Sequence, residues 1–407
     1  MVLYNFMEDR EIIKLSEKLL IPTYSRYPIV LRKGRGVRVW DINDKEYLDF
    51  LAGIAVNVLG HCPRKVVMAV QKQVQRLIHT SNLYYTEPQL NLAKILIKNS
   101  FADKVFFCNS GTEANEGALK LARIYMKNKY GKERYEFIST YNSFHGRTFG
   151  SLSVTGQEKY HHGFEPLLSG VKFVPFNNPQ AIANAITDKT CAVILEPIQA
   201  EGGINLPDKD YLKKIREICD KEKILLILDE VQTCIGRTGK LFAYEHFGIE
   251  PDIMTLAKGL GGGIPIGAIL TKDEIAKAFA PKTHASTFGG NPVACASAVA
   301  TLETVLEDGY LLDYCQRMSE YLMKKLNSIK DKYPEKIKEV RGIGLLIGVE
   351  LTFDGAEIVK KCMGKGLLIG TAGDGSVLRF TPPLIIEKKD IDEAISIFDK
   401  ALSEVSD

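Results

Sequence analysis

The spacing of apolar residues changes character twice along this chain. Over 28–50, "PIVLRKGRGVRVWDINDKEYLDF", apolar and polar positions alternate around Gly-rich and Asn-Asp turns, which predicts short antiparallel strands. From residue 64 the period lengthens: "RKVVMAVQKQVQRLIH" and, after Pro88, "PQLNLAKILIKN" carry apolar residues at helical intervals. Short β-rich runs follow: "KVFFC", "YEFIS", "VKFVPF", "CAVILE", "ILLILD", "DIMTLA" and "GAIL". Amphipathic segments separate several of them, such as "DYLKKIREICDKEK" at 210–223. Strands alternating with helices imply right-handed crossovers, hence an α/β fold with a mainly parallel sheet covered on both faces. Strands buried on both faces read as unbroken aliphatic runs, as "CAVIL" and "ILLIL" do.

Beyond residue 296 the pattern shifts again. One long helical stretch over 296–329 leads into "GIGLLIGVEL", then "GSVLRFTPPL", then a last helix from 388. A large domain at 56–295 and a smaller α+β domain at 296–407 are expected. Residues 1–55 should join the smaller one, since their strands lack partners in the α/β part. No internal repeat or low-complexity linker interrupts this plan.

Composition narrows the function. A chain of 407 residues fits two domains, and 45% hydrophobic with 25% charged residues is ordinary for a soluble protein. A net charge of +3 is too small to argue for nucleic acid or anionic membranes. No apolar run approaches the ~18 residues that cross a bilayer. The start, "MVLYNFMEDREIIK", lacks the basic flank and apolar core of a signal peptide. Eight cysteines without a C-x-x-C pair argue against a zinc site and a disulfide framework. Each reads as a small buried hydrophobe in a reducing cytoplasm.

Three stretches carry chemistry. "ILLILDEVQTCIGRTG" ends an aliphatic strand on Asp229 and Glu230, and carboxylates there need a partner or an exit to the surface. A metal-dependent nucleotide hydrolase has such a strand, but it also needs a phosphate loop. None of the Gly-Lys pairs at 131–132, 239–240 and 364–365 has the required surroundings, and no G-x-G-x-x-G occurs. In "VFFCNSGTEANEGALKLAR", 105–123, small residues at a strand end open a helix, which can cradle a phosphate; a capped helix with Ser110 or Thr112 as N-cap reads the same way. In "PDIMTLAKGLGGGIPIGAIL", 251–270, Lys258 sits at a strand end, where burial would lower its pKa and make it a Schiff-base amine; a surface lysine is the plainer reading. A phosphate cradle, a strand-end acid and a strand-end amine on one sheet are what pyridoxal phosphate requires.

Together these motifs resemble the class III (ornithine/acetylornithine-type) pyridoxal-phosphate aminotransferases. "SGTEANEGALKLAR", "SFHGRT", "EPIQAEGG", "LDEVQTCIGRTG", "AKGLGGGIPIGA" and "HASTFGGNP" stand in the family's order over nearly the whole chain. The resemblance implies a fold-type I transferase with a seven-stranded sheet, pyridoxal 5'-phosphate as cofactor, no metal, and a homodimer with shared active sites. It implies that Lys258 anchors the cofactor and moves the proton, that Asp229 pairs with the ring nitrogen, and that Gln232 contacts the phenolic oxygen. Ser110, Gly111 and Thr112 would hold the phosphate, Phe144 and Val231 the two ring faces, and Thr287 the phosphate of the neighbouring subunit. Arg147 would bind the α-carboxylate. Glu201 and Arg379 would form a switch that opens for the distal carboxylate of 2-oxoglutarate; a plain structural salt bridge is the alternative.

For the amino donor, Ile54 stands where the ornithine branch typically has a tyrosine, so an N-acetylated ornithine is implied, with Ser286 near it. Ornithine, N-succinyl-diaminopimelate and 4-aminobutyrate are the alternatives, and Arg147 speaks against the last, which has no α-carboxylate. A vitamin-binding regulator, an aminomutase and a decarboxylase are further readings of the same cofactor motifs.

Overall fold

The computed structural model describes residues 8–130 and 133–405. The first seven residues and the Gly131-Lys132 pair weighed above lie outside the described residues. Strands β1 (Leu31–Arg35), β2 (Arg38–Asp41) and β3 (Glu46–Asp49) form the expected antiparallel meander. The seven runs of the central region become β4 (Lys104–Cys108), β5 (Glu136–Thr140), β6 (Val171–Val174), β7 (Thr190–Leu195), β8 (Leu225–Asp229), β9 (Ile253–Leu256) and β10 (Gly267–Thr271). They make one sheet in the order β4-β10-β9-β8-β7-β5-β6, parallel except for β10, which runs against both neighbours. Every residue of β7 and β8 is buried, as their unbroken aliphatic runs require.

The C-terminal part builds β11 (Ile337–Ile343), β12 (Leu346–Leu351), β13 (Leu367–Leu368), β14 (Gly370–Ala372) and β15 (Val377–Phe380). "GIGLLIGVEL" is a hairpin, folded at Gly344, whose φ is +61°. A four-stranded sheet runs β11-β12-β15-β14, while β13 leaves it and pairs in parallel with β3, Leu367 opposite Leu48.

Two helical expectations need correction. The pattern over 296–329 is two helices, Pro292–Leu306 and Tyr310–Lys332, broken where Asp308 and Gly309 both take positive φ. The helix begun at Arg64 stops at Val74, so Leu77 and Ile78 lie exposed beyond it. Seven of the eight cysteines are buried, but Cys62 is exposed, and all eight are free thiols. Among the described residues no helix is long and apolar enough to cross a membrane.

Candidate active site

The parallel strands β5, β7, β8 and β9 end on one side of the sheet, and at such carboxyl ends open α/β sheets bind ligands. A cavity of about 420 Å³ opens there. Its lining brings together residues from four separate stretches: Ser110, Gly111 and Thr112; Phe144 and Arg147; Asp229, Val231 and Gln232; and Lys258.

The two carboxylates that end β8 point to different partners. Asp229 lines the cavity yet is only 3% exposed. Asn115 Nδ2 and His145 Nδ1 each lie 2.7 Å from its Oδ2, and the Val231 amide donates to its Oδ1 at 3.0 Å. Thr255 donates to Asn115 Oδ1 at 2.7 Å, so the acid is held from behind by a network of three side chains, Asn115, His145 and Thr255. Glu230 turns away from the cavity. It accepts from the Ala243 and Tyr244 amides, both at 2.7 Å, and from the Thr233 hydroxyl at 2.8 Å. Full burial pushes its carboxyl up to about 7 against those three donors. Its place at the strand tip is structural: it fixes the turn Ala243–His246.

Lys258 begins a short turn, Lys258–Gly261, directly after β9, with φ at +38°. Burial pushes its amine below the ordinary lysine value; Arg379 acts in the same direction, while Glu201, Asp229 and Glu196 oppose. A buried amine with suppressed charge is a nucleophile.

The helix Gly111–Tyr130 starts at the cavity. Ser110 Oγ accepts from the Glu113 amide at 3.3 Å, and Glu113 reaches back to the Asn109 amide at 2.6 Å. The cap is therefore Ser110 with Glu113, while the other candidate cap, Thr112, instead accepts through Oγ1 from the Arg147 and Thr148 amides at 3.2 and 3.3 Å. Only glycine fits at 111, because a Cβ there would lie 2.7 Å from Val231 Cγ1. The Arg147 guanidinium lies 3.9 Å from the centroid of the Tyr160 ring and 5.7 Å from that of Phe144.

Arg379, 4% exposed, pairs with Glu201 Oε2 at 2.6 Å and reaches Gln232 Oε1 at 3.4 Å, which joins the pair to the cavity wall. Burial alone would raise the Glu201 carboxyl, but the Arg379 guanidinium outweighs it, helped by Lys258 and Lys159, and holds it below the usual range. Ser286 does not line the cavity; its Oγ accepts from Asn109, a lining residue, at 3.1 Å. Thr287 is exposed and also outside the lining of the cavity.

Sequence reading gave no role to Asn115, His145 or Glu196, though each sits inside a quoted motif. Glu196 is 5% exposed and accepts from the Phe144 and Ala200 amides at 2.9 and 3.1 Å. Burial, then the Asp229 charge, pushes its carboxyl well above the usual value. Only Glu196 left a signal, a carboxylate directly after the aliphatic run "CAVIL"; Asn115 and His145 sit among other polar residues, and their contacts are long-range in sequence and leave no local period.

The cavity suits pyridoxal phosphate on its donor set. It offers an anchored acid at one wall, a half-buried lysine, a helix start for an anion and an aromatic ring, in a volume proper to a small ligand. Comparisons agree. The family described as Aminotransferase class-III matches residues 21–402. A protein from Caldanaerobacter subterraneus named acetylornithine aminotransferase is 55% identical over 97% of this chain and 99% of its own. One of the same name from Methanocaldococcus jannaschii is 54% identical over 98% of this chain and all of its own. Among solved structures, the ornithine aminotransferase of Toxoplasma gondii superposes with a TM-score of 0.93 at 34% identity, covering 98% of this chain and 96% of that one. The matched family, the near-complete overlap and the cavity agree: this chain belongs to the class III aminotransferases, enzymes that work with pyridoxal 5'-phosphate.

Proposed function

We propose that this chain moves the terminal amino group of N2-acetyl-L-ornithine to 2-oxoglutarate, giving N-acetyl-L-glutamate 5-semialdehyde and glutamate, a step of arginine biosynthesis. The observation that carries this reading is 54–55% identity, nearly end to end, to proteins named for that activity. Ile54 supports it, because an acylated α-amine needs no polar side chain there.

Pyridoxal phosphate supplies an electron-accepting ring that stabilises the carbanion left when a proton leaves the amine-bearing carbon. In this reading Lys258 Nζ tethers the cofactor between turnovers and carries that proton. Asp229 keeps the ring nitrogen protonated, and its burial strengthens the attraction relative to water. Phe144 and Val231 would hold the ring faces, Gln232 the phenolic oxygen, and Ser110, Gly111 and Thr112 the phosphate, all of them in the cavity wall. Arg147 takes the α-carboxylate, a two-pronged contact suited to guanidinium. The Glu201–Arg379 pair, at 2.6 Å, stays closed over a donor with a neutral acyl chain and opens for the second carboxylate of 2-oxoglutarate. Because one substrate must leave before the other enters, double-reciprocal plots should be parallel.

The same reading includes a homodimer. It is supported by exposed Ile78, Leu83, Tyr84, Tyr85 and Phe288, an unusual concentration of large apolar side chains at a surface. Thr287 stands next to Phe288, suited to reach a neighbouring phosphate, with Ser286 behind it near the donor. A cytoplasmic location, and a division into 56–295 and 296–407 with 1–55 attached through the β3–β13 pairing, complete the proposal.

The deciding experiment compares kcat/KM for N-acetylornithine, ornithine, N-succinyl-diaminopimelate and 4-aminobutyrate, each with 2-oxoglutarate. N-acetylornithine should win; a clear preference for another donor overturns the substrate.

A further inference from the structure

The segment Glu201–Ile204 is gripped at both ends by arginines from one row of the small sheet. In the register of β11, β12 and β15, Arg341 stands opposite Gly348, and Gly348 stands opposite Arg379. Residues directly opposite share a face, so both guanidinium groups rise on the same side with a glycine between them. Arg379 takes the head of the segment, Glu201 Oε2, at 2.6 Å. Arg341 takes its tail: Nε donates to the Ile204 carbonyl at 3.0 Å, and Nη2 to the Gly203 carbonyl at 2.7 Å. Ile204 lies over the bare glycine, where a Cβ on Gly348 would approach it to 3.2 Å.

The tail needs such a hold. Gly203 and Ile204 have φ of +121° and +54°, and a β-branched residue at positive φ is strained and persists only when neighbours impose it. Arg341 is itself anchored by Glu350 and by Glu339 at 2.7 Å, and is only 12% exposed.

We infer that Arg341 is a positioning residue for substrate discrimination: by fixing the Gly203 and Ile204 carbonyls it presents Glu201 to Arg379, and so sets how readily that pair opens for a dicarboxylate. Arg341 touches neither substrate nor cofactor. The inference rests on the switch reading of Glu201 and Arg379 given above. Loosening the tail weakens the closed pair, so dicarboxylates gain and the neutral-chain donor loses.

The test uses the cofactor-loaded enzyme. Single-turnover rates are measured with N-acetylornithine and separately with glutamate, and binding of glutarate, an unreactive dicarboxylate, is measured by calorimetry. Arg341→Gln should shift the glutamate-to-acetylornithine ratio of kcat/KM about fivefold toward glutamate and tighten glutarate by a similar factor, the size expected of a residue that modulates coupling without touching the ligand. The change should lie in KM, and Arg341→Lys should fall between. Lys338→Gln, which removes a neighbour of Glu350 but leaves the carbonyl grip, should change neither. If Arg341→Gln does not fold, Gly348→Ala, whose methyl would meet Ile204 Cβ at 3.2 Å and Val377 Cγ1 at 3.0 Å, displaces Ile204 and should shift the ratio the same way.

An unchanged ratio with unchanged glutarate affinity, an equal fall in both half-reactions, or an equal shift from Lys338→Gln overturns the inference. If the unaltered enzyme fails to turn over glutamate, the functional reading itself falls; if it succeeds and the variants do not shift, only the role of Arg341 does.

Discussion

At the scale of single residues, the site depends on burying charges that would rather be in water. Lys258 is the plainest case. Its folded pKa lies below its unfolded value, so the native state binds fewer protons than the unfolded one between those two values, and stability rises with pH across that window. Below it the cost of the buried ammonium is fully present. Cofactor-stripped Lys258→Met should therefore melt at a higher temperature than the parent at neutral pH, with the gap closing as the pH approaches about 10.4, the ordinary lysine value. A variant that melts lower at neutral pH, or a gap indifferent to pH, would contradict the burial argument. Arg147 is exposed, so its removal should spare the fold and act on binding. Arg147→Ala should raise KM for both substrates by about tenfold or more, the worth of a charge-assisted pair, in steady-state assays. An effect on neither substrate would remove it from carboxylate recognition.

At the scale of elements, the tip of β8 and the loop after it combine two tasks. Asp229 serves the cavity, while Glu230 and the fully buried Arg237 tie the surrounding loops together. Arg237 donates to the Leu345 and Pro382 carbonyls at 2.9 and 2.6 Å, joining this loop to the C-terminal sheet. Glu230→Ala strands two buried amides and should cost about 2–4 kcal/mol in chemical denaturation. A loss under 1 kcal/mol would mean that the turn at Ala243–His246 holds itself.

Such elements also show how far the sequence could be read. Strands β7 and β8 were legible because burial on both faces imposes aliphatic runs, and the edge strands β4 and β6, which are partly exposed, by their short β-rich composition. Lys258, Asp229 and the Ser110 helix start were legible because a charge or a cluster of small residues at a strand end breaks that pattern. The break at Asp308 was not, since two helices with compatible faces keep one apolar rhythm through a kink. Nor were Asn115, His145 and Glu196, whose partners lie far away in sequence.

At the scale of the whole molecule, the large sheet supplies the acid and the amine, and the small sheet brings Arg379, through β15, to Gln232 in the cavity wall. A second subunit completes the proposed design. Tyr85 is fully exposed in the single chain, so Tyr85→Asp should shift the sedimentation coefficient toward that of a monomer and lower activity with it. A variant that sediments as a monomer and keeps full activity would separate the active site from assembly.

The account stands or falls on Lys258 as the anchor of the cofactor. Borohydride reduction of the loaded enzyme, followed by proteolysis and mass spectrometry, should place a phosphopyridoxyl group on the peptide containing Lys258 and on no other. Label on a different lysine, or none at all on an enzyme that turns over, would contradict it.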